Sequence, residues 1–208
     1  MEDYLGSGST MGSVILFGCG STFIVEVEET CARLGWRIIS IVKNIEGPDY
    51  TSEVNLVVNA KDRPLLNHPV MFPLFRPSNR RTALEQARSL GARTFAVVVD
   101  PTSIVPRTFE IGEGSYINAG CTVGSHTRVG RFAFVNRSAS LGHHVSVGDF
   151  ASIGPGAVLA GQVEVGEDAF VGAGAVVLPK IRIGPGALIP AGAVVFRDVS
   201  AGATAPSV

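Results

Sequence analysis

Aliphatic residues recur every six positions in the second half of the chain, and this period constrains the fold more than any other feature. The series is Val105, Ile111, Ile117, Val123, Val129, Val135, Leu141, Val147, Ile153, Leu159, Val165, Val171, Val177, Ile183, Ile189 and Val195. An α-helix would rotate such a series away from any one core-facing side. Short strands joined by turns keep every sixth residue inside, and such repeats stack into a parallel β-helix. The sequence therefore predicts a parallel β-helix, in which sixteen hexads at three per coil give about five coils.

The first half of the chain alternates apolar strands with helices. Strands are expected at residues 13–17, 37–42, 55–60, 70–74 and 94–99, and a helix is expected at residues 22–34, stopped by Gly35. Ser78 is expected to cap a second helix over residues 79–90, which Gly91 ends. This order predicts a small parallel α/β sheet of the Rossmann-like type.

These patterns divide the chain into four segments. Residues 1–10 are expected to be a flexible extension or tag remnant, and residues 11–100 the α/β domain. Residues 101–199 are expected to form the β-helix, and residues 200–208 a flexible tail, because the tail residues are small and unpatterned.

Composition limits the partners and the compartment. A formal net charge of -1 gives no reason to expect nucleic acid. No apolar run approaches the roughly 18 residues that would span a membrane, and the chain does not open on a signal-peptide pattern. Cys19, Cys31 and Cys121 lack metal-site spacing and are expected to be reduced, mostly buried thiols in a cytoplasmic protein. Flat strand faces with few charges predict a homo-oligomer.

A glycine-rich turn follows the first strand. Gly18, Gly20 and Ser21 stand where backbone amides at a helix N-terminus bind phosphate, which makes them candidates for nucleotide binding. The third glycine of the dinucleotide fingerprint is replaced by Phe23, and the second strand ends in Lys43 without the acid that holds a ribose. A tight turn that merely needs small residues is the alternative.

Three of the four histidines lie in the repeats. His126 and His144 are eighteen residues apart, which is one coil, so the two are expected to stack on successive coils. The pair fits either of two interpretations: two ligands of a zinc site, or two side chains on a solvent-exposed face. His143 is the better candidate for a general base, because a neutral imidazole takes a proton near neutral pH. His68 precedes Pro69 and is expected at the surface.

Two segments carry a resemblance to a known family. Residues 135–150 read VNRSASLGHHVSVGDF and residues 156–163 read GAVLAGQV. Together with the preceding α/β domain, they resemble left-handed β-helix sugar acyltransferases, namely the bacterial nucleotide-sugar N-acetyltransferases of the bacillosamine and perosamine type and the sialic acid O-acetyltransferases. The resemblance implies left-handed coiling, a homotrimer, and acetyl-CoA as co-substrate of a sugar or nucleotide-sugar.

The resemblance also implies roles for individual residues. His143 corresponds to the general base, Asn136 to a residue near the acceptor, and Gly161 to the amide donor for the thioester oxygen. Ser152 stands where the family has a second histidine near the pantetheine. His144 stands where the family has an acid, and Asp149 is a possible substitute for that acid. The wall of the acyl-CoA groove is expected from four residues of the later hexads: Ala173, Gly174, Ala191 and Gly192.

Two other functions remain open at this point. One is a zinc hydratase similar to the γ-class carbonic anhydrases, with His126 and His144 as two ligands and His143 of a neighbouring chain as the third. The other is a catalytically impaired scaffold, which the replacement of the family's acid by His144 favours.

Overall fold

The structure is a computed structural model that describes residues 12–62 and 67–206. The predicted extension over residues 1–10 lies outside the described residues. Two compact units are present: the first contains the chain up to Leu74 together with Thr82–Ala96, and the second contains Phe75–Arg81 and Val97–Val208. Among the described residues, no helix is long and apolar enough to cross a membrane.

The first unit is built on a four-stranded parallel sheet. Its elements are β1 (Ser13–Phe17), α1 (Ile24–Leu34), β2 (Arg37–Lys43), β3 (Val57–Asn59) and β4 (Val70–Met71), with 3-10 turns at Val54–Leu56 and Ala60–Asp62. The strand order is β3-β2-β1-β4, and all three pairs are parallel. The last four residues of β1 point alternately to the two faces of the sheet, and all four are apolar and fully buried, so the sheet is covered on both faces at this strand.

Helix α1 packs its apolar stripe into the core of this unit. Ile24, Val27 and Cys31 recur at helical spacing and are buried. The helix ends as predicted, because Gly35 takes the left-handed conformation with φ 67°. It begins at Ile24, two residues later than the start expected at residue 22.

Two expected elements differ from the structure. Helix α2 spans Pro77–Ser89, so Ser78 lies inside its first turn and is not the cap. Proline suits the first helical position because its missing N–H has no partner there. The expected strand over residues 94–99 is shorter, β5 (Val98–Val99), and it pairs with the β-helix instead of the α/β sheet. Val99 lies six residues before Val105 and extends the hexad series backward by one.

The second unit is the predicted parallel β-helix, with three faces of two-residue strands. The first face contains β5, β7 (Tyr116–Ile117), β10 (Phe134–Val135), β13 (Ser152–Ile153), β16 (Phe170–Val171) and β19 (Leu188–Ile189). The second face contains β8 (Thr122–Val123), β11 (Ser140–Leu141), β14 (Val158–Leu159), β17 (Val176–Val177) and β20 (Val194–Val195). The third face contains β6 (Glu110–Ile111), β9 (Arg128–Val129), β12 (Ser146–Val147), β15 (Glu164–Val165) and β18 (Arg182–Ile183). Six, five and five strands confirm the expected five or so coils.

The hexad aliphatics and the small residues four positions later form one continuous core. Each strand residue pairs with the residues eighteen positions before and after it in the chain. Phe134, for example, pairs with Tyr116 and with Ser152. Three columns of turns separate the faces. The first edge joins the first and second faces and contains Gly174. The second edge joins the second and third faces and contains His143. The third edge returns to the first face and contains Phe150.

The expected flexible tail is wrong for residues 200–206. Gly202 N–H donates to Pro185 O (2.8 Å), and Leu188 N–H donates to Ala203 O (2.9 Å). Ala205 is buried in the hydrophobic core. These residues continue the β-helix, because small residues still fit a coil after the aliphatic series has ended.

Candidate active site

The centre of the candidate site is a turn on the second edge. Gly142, His143 and His144 connect β11 to β12, and His144 occupies the left-handed corner position with φ 57°. The turns of adjacent coils hold it in place: His144 N–H donates to Ser125 O, and Gln162 N–H donates to His143 O, each at 2.9 Å. Both histidine side chains are exposed. A rigid column of turns therefore presents two imidazoles to solvent.

His143 lies against Gly161 on the next coil. A methyl group placed on Gly161 would come within 2.6 Å of His143 Nε2 and 2.8 Å of its Cε1. Within the part of the chain that the structure describes, the N–H of Gly161 donates no hydrogen bond. A ring nitrogen and an unpaired amide donor thus lie side by side. This pairing suits a general base next to a donor for a developing oxyanion.

The absence of a side chain at Gly161 is what allows this approach, and it gives a test. In Gly161→Ala the new methyl group meets only the movable imidazole, so we expect thermal stability close to wild type and a kcat about 10²-fold lower from a displaced ring. In Gly142→Ala the methyl group would lie 2.7 Å from the backbone nitrogen of Gly161, so we expect lost stability instead. Melting curves and acetyl-transfer rates of the two variants measure this contrast. Equal kcat in Gly161→Ala and wild type would contradict the placement of His143.

His144 provides the partner of His143. The two Nδ1 atoms are 3.1 Å apart, within hydrogen-bond distance. The imidazoles of His126 and His144 stack with centroids 5.0 Å apart and an angle of 29° between planes, which confirms the expectation from their spacing. In residues 12–62 and 67–206, no three His, Cys, Asp or Glu side chains form a group suited to a metal ion.

Asp149 does not replace the missing acid. It lies on the third edge, where Asp149 Oδ1 accepts from Arg131 N–H (2.7 Å) and Asp149 Oδ2 lies 2.7 Å from Arg131 Nη2. The hydrogen bond and charge of Asp149 hold the pKa of the Arg131 guanidinium above its usual range. The carboxylate therefore serves an ion pair between coils, not His143.

Asn136 lies in a buried ladder of asparagines. Its Oδ1 accepts from Asn118 Nδ2 (3.1 Å) and from Arg137 N–H (2.8 Å), and the residue is 2% exposed. Asn118 Oδ1 in turn accepts from Tyr116 Oη (3.0 Å). The carboxamide oxygen of Asn136 is therefore occupied within the chain, and a role at the acceptor stays a prediction.

Ser152 is expected near the pantetheine, and its hydroxyl is engaged within the chain. Ser152 is fully buried, its Oγ donates to Phe75 O (2.6 Å), and it accepts from Arg80 Nη2 (2.8 Å). A role of this hydroxyl at acyl-CoA stays a prediction. Its position on the first face is covered by the segment Phe75–Arg81 of the same unit.

The four residues predicted to form the groove wall lie on another edge. Gly174 and Gly192 occupy left-handed corners of the first edge, with φ 64° and 71°. Gly174 N–H donates to Pro155 O (2.9 Å) and Gly192 N–H to Ala173 O (2.8 Å). Ala191 belongs to the same column of turns. Within one chain, the structure therefore does not bring these four residues to His143 and Gly161.

Known proteins match both the repeats and the whole chain. The family model "Bacterial transferase hexapeptide (six repeats)" matches residues 162–197. A histidine-to-asparagine variant of perosamine N-acetyltransferase from Caulobacter crescentus, in complex with CoA and GDP-perosamine, is 27% identical with 95% of each chain covered and a TM-score of 0.83. The acetyltransferase domain of PglB from Neisseria gonorrhoeae, in complex with acetyl coenzyme A, is 26% identical with 94% and 96% covered and a TM-score of 0.82. The chain is therefore similar to hexapeptide-repeat transferases in its later coils and to sugar-modifying acetyltransferases over nearly its whole length.

The same comparisons confirm the left-handed sense of the β-helix that the resemblance implied. WeeI from Acinetobacter baumannii, at 22% identity and a TM-score of 0.78 over 94% and 96% of the chains, shares this fold. A comparison with curated proteins finds no match.

The glycine-rich turn lies in the first unit. Gly18 has φ 117°, a conformation that favours glycine, and its N–H donates to Val42 O (2.9 Å). That amide is therefore not available to a phosphate. Ser21 Oγ accepts from Phe23 N–H (3.2 Å), and a methyl group on Gly20 would touch Ile45 at 3.0 Å. The structure thus brings Gly18, Gly20 and Ser21 into one loop at the start of α1.

A thiol and an ion pair close this loop. Cys19 Sγ donates to Asp49 Oδ1 (3.1 Å), and Lys43 Nζ lies 3.0 Å from the same oxygen. Burial, followed by the hydrogen bond to Asp49, raises the pKa of Cys19 to about 12. The hydrogen bonds from Cys19 and Lys43 hold the pKa of Asp49 below its usual range. All three cysteines are free and buried, as the sequence predicts.

Two exposed residues of the second edge were missed by the sequence reasoning. Gln162 and Lys180 follow His144 at intervals of eighteen residues and occupy the same left-handed corner. They line an open groove of about 890 Å³ together with His144 and side chains of the third face. The eighteen-residue spacing that placed His126 over His144 would have identified them. A lysine two coils beyond His144 suits an anionic group of a ligand that lies along this edge.

Proposed function

We propose that this protein transfers an acetyl group from acetyl-CoA to an amine or hydroxyl of a sugar or nucleotide-sugar, with His143 as general base. The observation that supports this most is the contact of His143 Nε2 with Gly161, whose N–H has no partner in the described chain. Two solved structures that are 26–27% identical over nearly the whole chain support it: perosamine N-acetyltransferase with CoA and GDP-perosamine, and the acetyltransferase domain of PglB with acetyl coenzyme A.

The proposed reaction uses two groups of the second edge. His143 Nε2 takes the proton of the acceptor amine or hydroxyl as that atom attacks the thioester carbonyl. The N–H of Gly161 donates to the carbonyl oxygen, whose negative charge grows in the tetrahedral intermediate. Collapse of the intermediate releases the CoA thiolate, which receives the proton from the His143 imidazolium. The acetylated acceptor and CoA are the products, and no covalent enzyme intermediate forms.

We infer that the first unit is a Rossmann-like module that recognises the nucleotide of the acceptor. Its four parallel strands, with α1 between β1 and β2, support this inference. The loop of Gly20 and Ser21 at the start of α1 is the candidate phosphate contact. Perosamine N-acetyltransferase is solved with GDP-perosamine, a nucleotide-sugar.

We also propose that the protein is a homotrimer. On the second face, Val158 and Val194 are 38% and 43% exposed, an apolar surface that favours association. The second edge with His143 and the first edge with Gly174 border this same face. In a threefold ring, one subunit's second edge would meet its neighbour's first edge. In that arrangement the acyl-CoA groove between two subunits would be lined, as predicted, by Ala173, Gly174, Ala191 and Gly192.

A charge on the second face tests the trimer. We expect the double variant Val158→Lys and Val194→Lys to be monomeric in analytical ultracentrifugation, because like charges would be buried against an apolar partner face. Ser146→Lys, an exposed strand position on the third face, is the matched control and should remain trimeric. A wild-type protein that sediments as a monomer would contradict the proposal.

We place the protein in the cytoplasm. Three free, buried thiols support a reducing compartment. Fluorescence microscopy or cell fractionation of the tagged full chain tests this placement.

The activity itself is tested by CoA release. Purified protein, acetyl-CoA and a panel of nucleotide-linked amino sugars, free amino sugars and sugars with hydroxyls only are assayed with a thiol reagent, and products are identified by mass spectrometry. We expect acceptor-dependent CoA release with at least one sugar. No release with any sugar would favour the catalytically impaired scaffold. Bicarbonate formation from CO₂ by zinc-loaded protein would favour the hydratase.

A further inference from the structure

The family's acid after the base is replaced here by a second imidazole, and the geometry gives that imidazole a defined task. His143 Nδ1 and His144 Nδ1 are 3.1 Å apart. A hydrogen bond between two ring nitrogens needs one to carry hydrogen and the other to offer a lone pair. For His143 Nε2 to accept a proton from substrate, the hydrogen of neutral His143 must be on Nδ1.

We propose that His144 is a positioning residue that holds His143 in the Nδ1–H tautomer by accepting its hydrogen bond as a neutral imidazole. This inference rests on the proposed acetyl transfer with His143 as base. His144 then carries its own hydrogen on Nε2. The shared hydrogen bond orients the His143 ring so that its Nε2 faces Gly161.

The surroundings keep the acceptor ring of His144 in place. His126 stacks on it from the preceding coil, with centroids 5.0 Å apart. The His143 ring meets it nearly edge-on, at 85°. The titratable groups near His144 are these two histidines and, in the groove on the following coils, Glu164, Lys180, Arg182 and Asp198.

A histidine acceptor differs from a carboxylate in how it responds to acid. Protonation of His144 places a hydrogen on Nδ1, so the acceptor becomes a donor and the hydrogen bond to His143 is lost. Protonation of His143 itself removes the base. Two protonation events, one on each histidine, therefore lower the activity at low pH. With an acceptor that does not titrate, only the protonation of His143 lowers it.

Two substitutions separate the hydrogen bond from packing. His144→Phe keeps an aromatic ring against His126 but removes the acceptor. Phenylalanine already occupies the equivalent left-handed corner of the third edge at Phe132 and Phe150, with φ 54° and 59°. His144→Asn restores a neutral oxygen acceptor, and asparagine tolerates this backbone conformation. We expect kcat to fall about 10–100-fold in His144→Phe, with KM for acetyl-CoA nearly unchanged, and to stay within a few-fold of wild type in His144→Asn.

The pH profile of kcat/KM gives the signature that a structural role would not produce. On a logarithmic plot, the acid limb should approach a slope of two in wild type and of one in His144→Asn. Wild-type kcat in His144→Phe, or the same slope in wild type and His144→Asn, would overturn the proposal.

A measurement without substrate keeps this proposal separable from the acetyltransferase activity. Nitrogen-15 NMR of the imidazoles in the full chain should show neutral His143 with its hydrogen on Nδ1 in wild type and mostly on Nε2 in His144→Phe. Hydrogen on His143 Nε2 in the wild type would overturn the role of His144 even if acetyl transfer is observed. An Nδ1–H tautomer together with no acetyl transfer to any sugar would contradict the proposed function alone.

Discussion

His143→Ala should lower kcat by roughly 10²–10⁴ while the affinity for acetyl-CoA stays within a few-fold of wild type. The expected loss is large because His143 Nε2 is the ring nitrogen that lies against Gly161. Binding should persist because the proposed task of the imidazole is proton transfer from the acceptor and not a contact with CoA. Steady-state kinetics and isothermal titration calorimetry separate the two effects.

A matched control for this variant lies in the first unit. His68 Nδ1 is 2.9 Å from Ser13 Oγ, and His68 is the one histidine outside the repeats. His68→Gln should leave kcat unchanged. A His143→Ala protein that is as active as wild type would remove the imidazole from the mechanism.

Arg80→Ala should cost about 3–5 kcal/mol of the free energy of unfolding, the largest stability effect we expect. The Arg80 side chain is 1% exposed. It donates to the carbonyl oxygens of Phe132 (2.8 Å), Ala151 (3.1 Å) and Phe75 (2.6 Å) and also to Phe150 O. Alanine would leave these acceptors buried without donors and would open a cavity.

The charge of Arg80 is stabilised by peptide dipoles, because its guanidinium donates to four backbone carbonyl oxygens. Burial lowers its pKa to about 9, so the guanidinium stays protonated at neutral pH. Five donors in a planar fork match carbonyls at several angles, which a lysine ammonium does not. Arg80→Lys should therefore also be destabilised, although less than Arg80→Ala.

The neighbouring arginine is the control for Arg80. Arg81 pairs with Asp168 (Nη2 to Oδ2, 2.8 Å), and its side chain is 40% exposed. A partly exposed ion pair contributes about 1 kcal/mol or less, so Arg81→Ala should be only slightly destabilised. Urea unfolding of the three variants gives the comparison. Equal losses in Arg80→Ala and Arg81→Ala would show that the buried hydrogen bonds do not stabilise the coil.

The β-helix could be predicted from sequence because its period is local and repeated. Every coil needs an aliphatic residue at the same place, and the eighteen-residue repeat also placed His126 over His144 correctly. The same rule would have found Gln162 and Lys180 on the second edge. The coils, and the side chains that stack at eighteen-residue spacing, are therefore the features that the sequence predicts best.

The errors come from contacts between segments that the period does not encode. Ser152 could not be placed without knowing that Phe75–Arg81 covers the first face and brings Arg80 to its hydroxyl. Asp149 falls on a different edge from His143, and its partner Arg131 lies one coil away. Residues 200–206 lack the large aliphatics of the hexads but still continue the coil, because only backbone hydrogen bonds and small residues are needed there.

The most direct test of the account is a crystal structure of the protein with bound CoA. We expect the thiol of CoA to lie beside the second edge. The Gly161 N–H and His143 Nε2 should then be within hydrogen-bond distance, about 3 Å, of the position that the acyl group would occupy. The pantetheine should then follow that edge past Gln162. Density for CoA on a different edge or face, with His143 and Gly161 open to solvent, would contradict the assignment of the site.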